Sequence, residues 1–234
     1  MIINTRPTAV ANHSNDLLER SGQQFIHQPL TRIEGSLPSS DALNKLSNIG
    51  SYDAIIFTSQ SAVKFGASYL KQYLPTNSDL PIIAIGVATK RALDEYGLNS
   101  NVPPDFNSAG IARLIDTAKY ERCLIFCGDK IPQLTQYTSS SLETFSCYRV
   151  LNEEPSQLDQ ITKNAGVIIL IYNIQTLEVL VNNISNERLS QLRLVAASAR
   201  IRDSAFKYGI KDCEIAEGPH DAEMIKTAIE LASN

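Results

Sequence analysis

An internal repeat limits the folds open to this chain. The segment AIGVATKRALDEYG (84–97) resembles AASARIRDSAFKYG (196–209), at an offset of 112 residues. Two further pairs of segments match at about the same offset: DAIIFTS (53–59) with GVIILIY (166–172), within one residue, and FNSAGIARLI (106–115) with GPHDAEMIKTAI (218–229). Solenoid repeats are about 20 to 50 residues long. A repeat spaced by half the chain therefore predicts two similar domains.

Within each copy, short apolar runs alternate with segments of helical periodicity. Runs such as AIIF (54–57) and VIILI (167–171) lack alternation of apolar and polar residues. Uninterrupted apolar runs are typical of parallel strands covered on both faces of a sheet. Strand–helix alternation predicts an α/β architecture with parallel sheets.

Two extended segments predict how the domains are connected. QPLTRIEG (28–35) and CYRVLNEEP (147–155) are polar and lie between predicted α/β units. We expect residues 29–35 and 147–152 to be linker strands that pair as a two-stranded antiparallel ladder. The N-terminal strand–helix–strand unit then packs into the C-terminal domain. The predicted domains are 1–28 with 153–234, and an inserted domain at 36–146.

Composition and charge exclude several classes of protein. The 234 residues carry 21 Lys and Arg against 25 Asp and Glu, a formal net charge of −4. The chain therefore lacks the basic field of a typical nucleic-acid binder. Its longest strictly apolar stretch is 167–171, far below the roughly 20 residues that span a bilayer. The N-terminus has no secretory pattern, and we expect a cytoplasmic location with no membrane partner.

The cysteines and histidines do not indicate a metal site. No pair of cysteines has CxxC spacing, and the three histidines lie far from the cysteines in sequence. Cys123 and Cys127 are four residues apart on a predicted strand and should face the same side. All four cysteines, which also include Cys147 and Cys213, are expected to be reduced and space-filling.

Turns that follow predicted strands are the candidate ligand-binding segments, because ligands of open α/β sheets bind beyond the carboxyl ends of the strands. Such turns carry glycine and small hydroxyl residues, which leave backbone N–H groups free to donate to an anion at a helix N-terminus. Each hydroxyl can equally be a helix N-cap. The turns are TRP (5–7), TSQS (58–61), GVAT (86–89), CGDK (127–130), YNIQT (172–176) and SARI (198–201).

Two cations and the lack of nucleophile motifs narrow the chemistry. Arg6 and Lys130 can each pair with a ligand carboxylate or remain solvated surface charges. The sequence contains no GxSxG, Walker A, GxGxxG or HExxH motif. A catalytic triad and a nucleotide-dependent reaction are therefore not expected.

Taken together, these segments resemble the uroporphyrinogen-III synthase family over essentially the whole chain. The resemblance is carried by TRP (5–7), AIIFTSQSAVKF (54–65), AIGVATKRAL (84–93), FCGDKIPQL (126–134) and CYRV (147–150). It implies two α/β domains with the active site in the cleft between them, and a monomer. It also implies hydroxymethylbilane, a linear tetrapyrrole with eight carboxylates, as the substrate. Dehydration, inversion of the last ring through a spiro intermediate and ring closure follow, without metal or organic cofactor.

The resemblance also assigns roles to residues. Tyr148 matches the family's cleft tyrosine, which can protonate or hydrogen-bond the departing hydroxyl; alternatively it is a hinge residue packed between domains. The substrate-binding candidates are Arg6, Thr58, Ser59, Gly86, Thr89, Gly128, Lys130, Tyr172, Ser198 and Arg200. The C-terminal copy departs from the family pattern, with Tyr172, Asn173, Arg200 and Ile201 where a serine-containing turn, glycine and paired hydroxyls are usual.

Other functions remain as alternatives. A non-catalytic binding module for an anionic small molecule can share this fold without the reaction. A nucleotide-using α/β enzyme is disfavoured by the missing phosphate loop. An interaction protein would need a large exposed apolar patch.

Overall fold

The computed structural model describes residues 1–105, 107–130, 132–155, 157–163 and 166–233. Within them the strands are β1 (Ile2–Asn4), β2 (Phe25–His27), β3 (Thr31–Gly35), β4 (Ala54–Phe57), β5 (Ile82–Ala84), β6 (Arg122–Gly128), β7 (Ser141–Asn152), β8 (Ile168–Ile171), β9 (Arg193–Ala196) and β10 (Asp212–Ile215). The α-helices are α1 (Asn12–Arg20), α2 (Ser40–Ser47), α3 (Gln60–Tyr73), α4 (Val87–Glu95), α5 (Ser108–Ala118), α6 (Leu158–Ile161), α7 (Ile174–Asn182), α8 (Asn186–Leu189), α9 (Ala199–Lys207) and α10 (Asp221–Ser233).

The chain forms two compact units. Unit 1 comprises Met1–Arg32 and Leu151–Asn234, and unit 2 comprises Ile33–Val150. Each unit is built on a five-stranded sheet with helices on its faces. The predicted fold class, two similar parallel-sheet α/β domains, is confirmed.

The sheet of unit 1 has the order β10-β9-β8-β1-β2, and all of its pairings are parallel. Its N-terminal strands β1 and β2 lie beside strands from the C-terminal half, as predicted. Successive residues of each central strand enter different cores: Ile2 packs with Leu18 on one face, while Ile3 packs with Leu180 on the other. A sheet covered on both faces explains why these strands are apolar throughout.

The sheet of unit 2 has the order β3-β7-β6-β4-β5. The pairings among β7, β6, β4 and β5 are parallel, so the carboxyl ends of these strands share one edge. Phe57 stacks on Phe126 at 4.5 Å between ring centroids, and Phe126 packs on Phe145 at 4.7 Å. Ile56 and Cys123 fill the core on the opposite face.

Strands β3 and β7 contain the two points at which the chain passes between the units. Ser36 N–H donates to Cys147 O, and Glu153 N–H donates to Leu30 O, both near 3 Å. Partner numbers fall along one strand as they rise along the other, which defines an antiparallel pair. The predicted antiparallel ladder is therefore present.

Helix starts follow from polar caps. The side chains of Ser39, Ser59, Asn107 and Asn173 each accept the backbone N–H three residues further on. These caps satisfy N–H groups that have no partner within their helices. Gly97 and Gly209, which follow α4 and α9, adopt φ values of +70° and +85°, a conformation that favours glycine at helix ends.

The repeat is present, but part of its predicted register is wrong. Helices α4 and α9 lie 112 residues apart, as the sequence indicated. Strands β4 and β8 lie 114 residues apart, outside the predicted tolerance of one residue. The reason is that the segment from the start of α3 to α4 is two residues longer than the segment from α7 to α9. Asn173 is consequently the counterpart of Ser59, and Tyr172 is the counterpart of Thr58.

All four cysteines are buried free thiols. Cys123 and Cys127 face the same core, as their spacing predicted. Burial raises the pKa of each of these two thiols to about 11, so they remain protonated at neutral pH. Among the described residues, no helix is long and apolar enough to cross a membrane.

Candidate active site

A hydrogen bond between two predicted site residues marks the candidate site in unit 2. Tyr148 Oη on β7 lies 3.1 Å from Ser59 Oγ, in the turn between β4 and α3. Ser59 Oγ also accepts the Ala62 N–H at 3.0 Å as the N-cap of α3. A serine hydroxyl has one proton and two lone pairs, so Ser59 can cap the helix and still donate to, or accept from, Tyr148.

The local backbone brings Tyr148 to this position. Along β6 and β7 the register changes between Cys127, which pairs with Ser146, and Gly128, which pairs with Tyr148. This bulge adds one residue on β7 and re-aims the side chains beyond it. A Cβ at Gly128 would lie 2.9 Å from Tyr148 Cε2 and 3.0 Å from Cζ. Only glycine at this position leaves room for the tyrosine ring in its present place.

A cavity of about 320 Å³ lies against Tyr148 at this edge of the sheet. Its polar lining comes from the end of β6, from the segments that follow β4 and β6, from the first turn of α5 and from β7: Thr58, Ser108, Gly128, Asp129, Lys130, Gln133 and Tyr148. The α5 cap, formed by Asn107 on Gly110 N–H at 2.9 Å, keeps that helix start in place. The cavity at the carboxyl end of this parallel sheet is thus lined by hydroxyls, one cation and one carboxylate, set among the apolar residues Ile85, Ile111, Cys127, Pro132, Leu134 and Val150.

Electrostatics keep Tyr148 protonated. Burial raises the pKa of Tyr148 above its ordinary value near 10, and the hydrogen bond from Ser59 opposes part of that rise. At neutral pH the phenol is therefore a neutral hydroxyl. A neutral hydroxyl beside a cavity can donate a proton or a hydrogen bond to a bound ligand.

The structure brings together five of the predicted residues, namely Thr58, Ser59, Gly128, Lys130 and Tyr148, around or beside this cavity. Thr58 Oγ1 itself donates to Phe126 O at 3.1 Å. Gly86 is the N-cap of α4 and has no side chain to cap with. Thr89 is buried inside the first turns of the same helix, with 4% of its surface exposed.

The other predicted residues lie in unit 1. Arg6 follows β1 and stacks on Tyr172, with its guanidinium carbon 3.8 Å from the ring centroid. Ser198 is the N-cap residue of α9 without a side-chain cap bond, and Arg200 is exposed in the first turn of that helix. Sequence reasoning missed Asp221, whose carboxylate pairs with Arg6 at 2.7 Å. Its signal was present, since it lies in the repeated segment 218–229.

Sequence reasoning also missed Ser108 and Gln133 of the unit 2 cavity. Ser108 lies in the other copy of that repeated segment, at the start of a helix. Within the described residues, no group of three or more His, Cys, Asp or Glu is arranged to hold a metal ion. The arrangement is suited to anion binding and proton donation by neutral groups.

Fold and site together define a two-unit α/β protein whose polar groups collect at the carboxyl ends of parallel strands. The family model described as uroporphyrinogen-III synthase HemD matches residues 12–226. The chain belongs to the uroporphyrinogen-III synthase family.

Solved structures of similar fold carry the same family name. One is a mutant uroporphyrinogen III synthase from the extremely thermophilic bacterium Thermus thermophilus, with 16% sequence identity, 99% of this chain and 98% of that chain covered, and a TM-score of 0.62. Another is uroporphyrinogen-III synthetase from Helicobacter pylori, with 14% identity, 98% of both chains covered, and a TM-score of 0.63. At such identities these likenesses show the fold. No curated protein matches the sequence significantly.

Proposed function

We propose that this chain converts hydroxymethylbilane to uroporphyrinogen III, with loss of water, inversion of the terminal pyrrole ring and ring closure. In class terms it is a cyclising hydro-lyase. The observation that carries this proposal is the Tyr148–Ser59 pair beside a cavity of about 320 Å³ that is lined by both polar and apolar side chains, in a chain that belongs to the family. That volume is at the lower end for small-molecule sites, and it suits one pyrrole ring with its carboxylate arms.

Tyr148 is the proposed acid of the dehydration step. Its hydroxyl gives a proton to the terminal hydroxyl of the substrate, the carbon–oxygen bond breaks, and water leaves. The lone pair of the pyrrole nitrogen supplies the electrons that replace the broken bond, giving an azafulvene-type electrophile. The substituted α-carbon of the last ring attacks this electrophile and forms a spiro intermediate, and the bond from that carbon to its original methylene bridge then breaks. The free α-carbon of the same ring attacks the released methylene, which closes the macrocycle with the ring inverted. This α-carbon loses its proton as the ring regains aromaticity, and the proton restores the phenol. The sequence is redox-neutral, so it needs no oxidant or reductant, and we propose that it proceeds without a metal or organic cofactor.

Ser59 is a positioning residue in this proposal. When Tyr148 gives up its proton, the Ser59 hydroxyl donates to the phenolate oxygen, 3.1 Å away. Its other role as the α3 cap restrains the oxygen in place. A fixed donor at a developing charge stabilises that charge without reorganisation.

Carboxylates of the substrate are proposed to bind at helix starts rather than on a basic surface. In unit 2 the candidates are Thr58, Gly86, Gly128 and Lys130, and in unit 1 Ser198 and Arg200; the buried Thr89 is not among them. Backbone N–H groups at helix N-termini favour anions. This mode of binding is compatible with a chain whose net charge is −4.

We also propose a monomer in the cytoplasm, with no nucleic-acid partner. The exposed large hydrophobic residues of the described chain lie mostly on different elements: Leu37, Val87, Tyr137, Phe206 and Tyr208. Scattered apolar residues of this kind are ordinary for a monomer surface. Size-exclusion chromatography with light scattering tests the oligomeric state, and a mass near twice 25.7 kDa would contradict the proposed monomer.

The isomer of the product tests the proposed function. Hydroxymethylbilane is generated in place by its own synthase, the chain is added, and the oxidised products are separated by chromatography. Formation of isomer III supports the proposal, because unassisted closure gives isomer I. Isomer I alone, from folded protein that binds uroporphyrin III, would replace it with the alternative of a non-catalytic anion-binding module.

A further inference from the structure

The strand order of unit 1 reverses between β1 and β8. From β1 the chain continues to β2 on one side, whereas β8 continues through β9 to β10 on the other. Such a reversal opens a crevice at the carboxyl ends of the two strands, and ligands of α/β sheets bind there. Arg6 lies two residues beyond β1, and Tyr172 directly follows β8. These two residues therefore occupy the crevice position in unit 1.

Arg6 is held firmly at this position. Its Nε donates to Asp221 Oδ1 at 2.7 Å, and its guanidinium carbon lies 3.8 Å from the centroid of the Tyr172 ring. Its backbone is held as well: Arg6 N–H donates to Asn4 Oδ1 at 3.2 Å, and Arg6 O lies 2.9 Å from His27 Nε2. Contacts on the side chain and on the backbone leave the guanidinium little freedom.

The guanidinium of Arg6 keeps donors for a ligand. Asp221 accepts from Nε at 2.7 Å, and Tyr172 is the other side chain that interacts with the guanidinium within the described residues. The Arg6 side chain keeps 24% of its surface exposed, against 11% for Asp221. A planar guanidinium can bind a carboxylate with two parallel hydrogen bonds.

The residue that follows the strand at the reversal point differs between the two units. The strand order of unit 2 also reverses, between β4 and β6, and Thr58 follows β4 as Tyr172 follows β8. There the small threonine lines the cavity, whereas in unit 1 the larger tyrosine supports an arginine. The departure of the C-terminal copy from the family pattern thus provides a platform for a cation.

We propose that Arg6 binds one carboxylate of the substrate, and that Asp221 and Tyr172 are positioning residues that aim its terminal amino groups. The identity of the ligand as a tetrapyrrole carboxylate rests on the proposed function. The proposal goes beyond it in assigning unit 1 a defined carboxylate receptor with a supporting acid.

Replacement of Asp221 by asparagine distinguishes two roles of this carboxylate. It can hold the Arg6 guanidinium in the orientation that binds a ligand, or it can merely neutralise the charge of Arg6. Asp221→Asn removes a negative charge beside the site, so electrostatics alone predicts tighter binding of an octacarboxylate. If Asp221 aims Arg6, binding instead weakens, because the guanidinium is released to other rotamers. The sign of the change therefore decides between the two roles.

The test measures the Kd of uroporphyrin III by fluorescence titration and the KM for hydroxymethylbilane. Arg6→Gln and Arg6→Lys should each raise Kd and KM by about tenfold, the scale of charge-assisted hydrogen bonds to one group. Asp221→Asn should raise Kd and KM several-fold. In the double variant with Arg6→Gln it should cause little further increase in either quantity. Tyr172→Phe keeps the stacking ring and should bind as the parent chain does, whereas Tyr172→Leu should weaken binding.

Asp212→Asn is the matched control. Asp212 pairs with Arg193 Nε at 3.0 Å in the same unit, but at the start of β10, away from the carboxyl ends of the strands. Asp212→Asn removes the same charge and the same kind of ion pair as Asp221→Asn. Because Asp212 lies away from the proposed carboxylate site, Kd and KM should stay unchanged. Unfolding curves for each variant establish that the fold is kept.

Tighter or unchanged binding by folded Asp221→Asn would overturn the positioning role, and unchanged binding by Arg6→Gln would overturn the receptor. Absence of uroporphyrin III binding by the parent chain would also overturn the proposal. Isomer I as the sole product would count against the proposed function. Because Kd does not depend on turnover, the effect of the Arg6 variants on binding could still be measured in that case.

Discussion

The Tyr148 hydroxyl oxygen lies 3.1 Å from the Ser59 hydroxyl oxygen, which also holds the first turn of α3. One atom therefore connects a helix start, a strand and the edge of the cavity. The position of the proposed acid depends on the cap of a helix, so changes at either residue should affect both local structure and reaction. Variants with matched controls can separate these two effects.

Tyr148→Phe should lower kcat by about 100-fold, the lower end of the range for a positioned acid, with a small change in KM. The fold should be kept, since phenylalanine preserves the ring. Tyr52→Phe is the control, because Tyr52 is also buried in unit 2 and donates to Glu143 at 3.1 Å. It should cost about 1 kcal/mol of stability and leave kcat unchanged. Equal kcat values in the two variants would remove Tyr148 from the reaction.

Ser59→Ala should reduce both stability and activity. Loss of an N-cap costs about 1 kcal/mol of unfolding free energy, and loss of the bond to Tyr148 should lower kcat. Ser39→Ala provides the comparison, since Ser39 caps α2 in the same way, at 3.1 Å from Ala42 N. Chemical denaturation and steady-state kinetics should show similar losses of stability and a kcat effect in Ser59→Ala only. A similar fall of kcat in both would mean that stability alone explains it.

Gly128→Ala should displace the Tyr148 ring, because the added Cβ would lie 2.9 Å from Cε2. Misplacement of a reacting group by about 1 Å can cost about 100-fold in rate, and we expect a kcat loss approaching that of Tyr148→Phe. Gly50→Ala is the control, since a Cβ added at this position of unit 2 would have no atom within 4 Å. Full activity in Gly128→Ala would show that the ring tolerates the shift.

The pH profile should show a flat kcat from neutral pH to about pH 9, followed by a loss at higher pH. The neutral phenol is the proposed donor, and burial raises its pKa above its ordinary value near 10. Activity is therefore retained below that pKa and lost as the pH rises through it. Ser59→Ala removes the hydrogen bond that lowers this pKa, so its alkaline limb should move to higher pH. A limb below pH 8 would be inconsistent with Tyr148 as the donor.

Much of the fold was predictable because it depends on local patterns. Fully apolar runs indicated the strands, and hydroxyl caps and glycines indicated the helix ends, as at Ser59 and Gly97. The register of β8 against β4 was not predictable to within one residue. The segment from the start of α3 to α4 is two residues longer than the segment from α7 to α9, and an alignment of short apolar strands does not reveal this difference.

Less of the site was predictable. Thr58 directly follows β4 and Gly128 is the last residue of β6, and the carboxyl ends of parallel strands meet at one edge of a sheet. Their proximity could therefore be predicted. The Arg6–Asp221 pair joins residues 215 positions apart, and one sequence gives no means of pairing them. Likewise, the bulge that re-aims Tyr148 depends on register between β6 and β7, which local pattern does not determine.

The fraction of isomer III among the products tests the central claim most directly. We predict that this fraction rises with the concentration of the chain at a constant supply of hydroxymethylbilane, until isomer III is the main product. A fraction that stays at the level of the unassisted reaction, at every concentration of folded chain, would contradict the claim that this protein inverts the terminal ring.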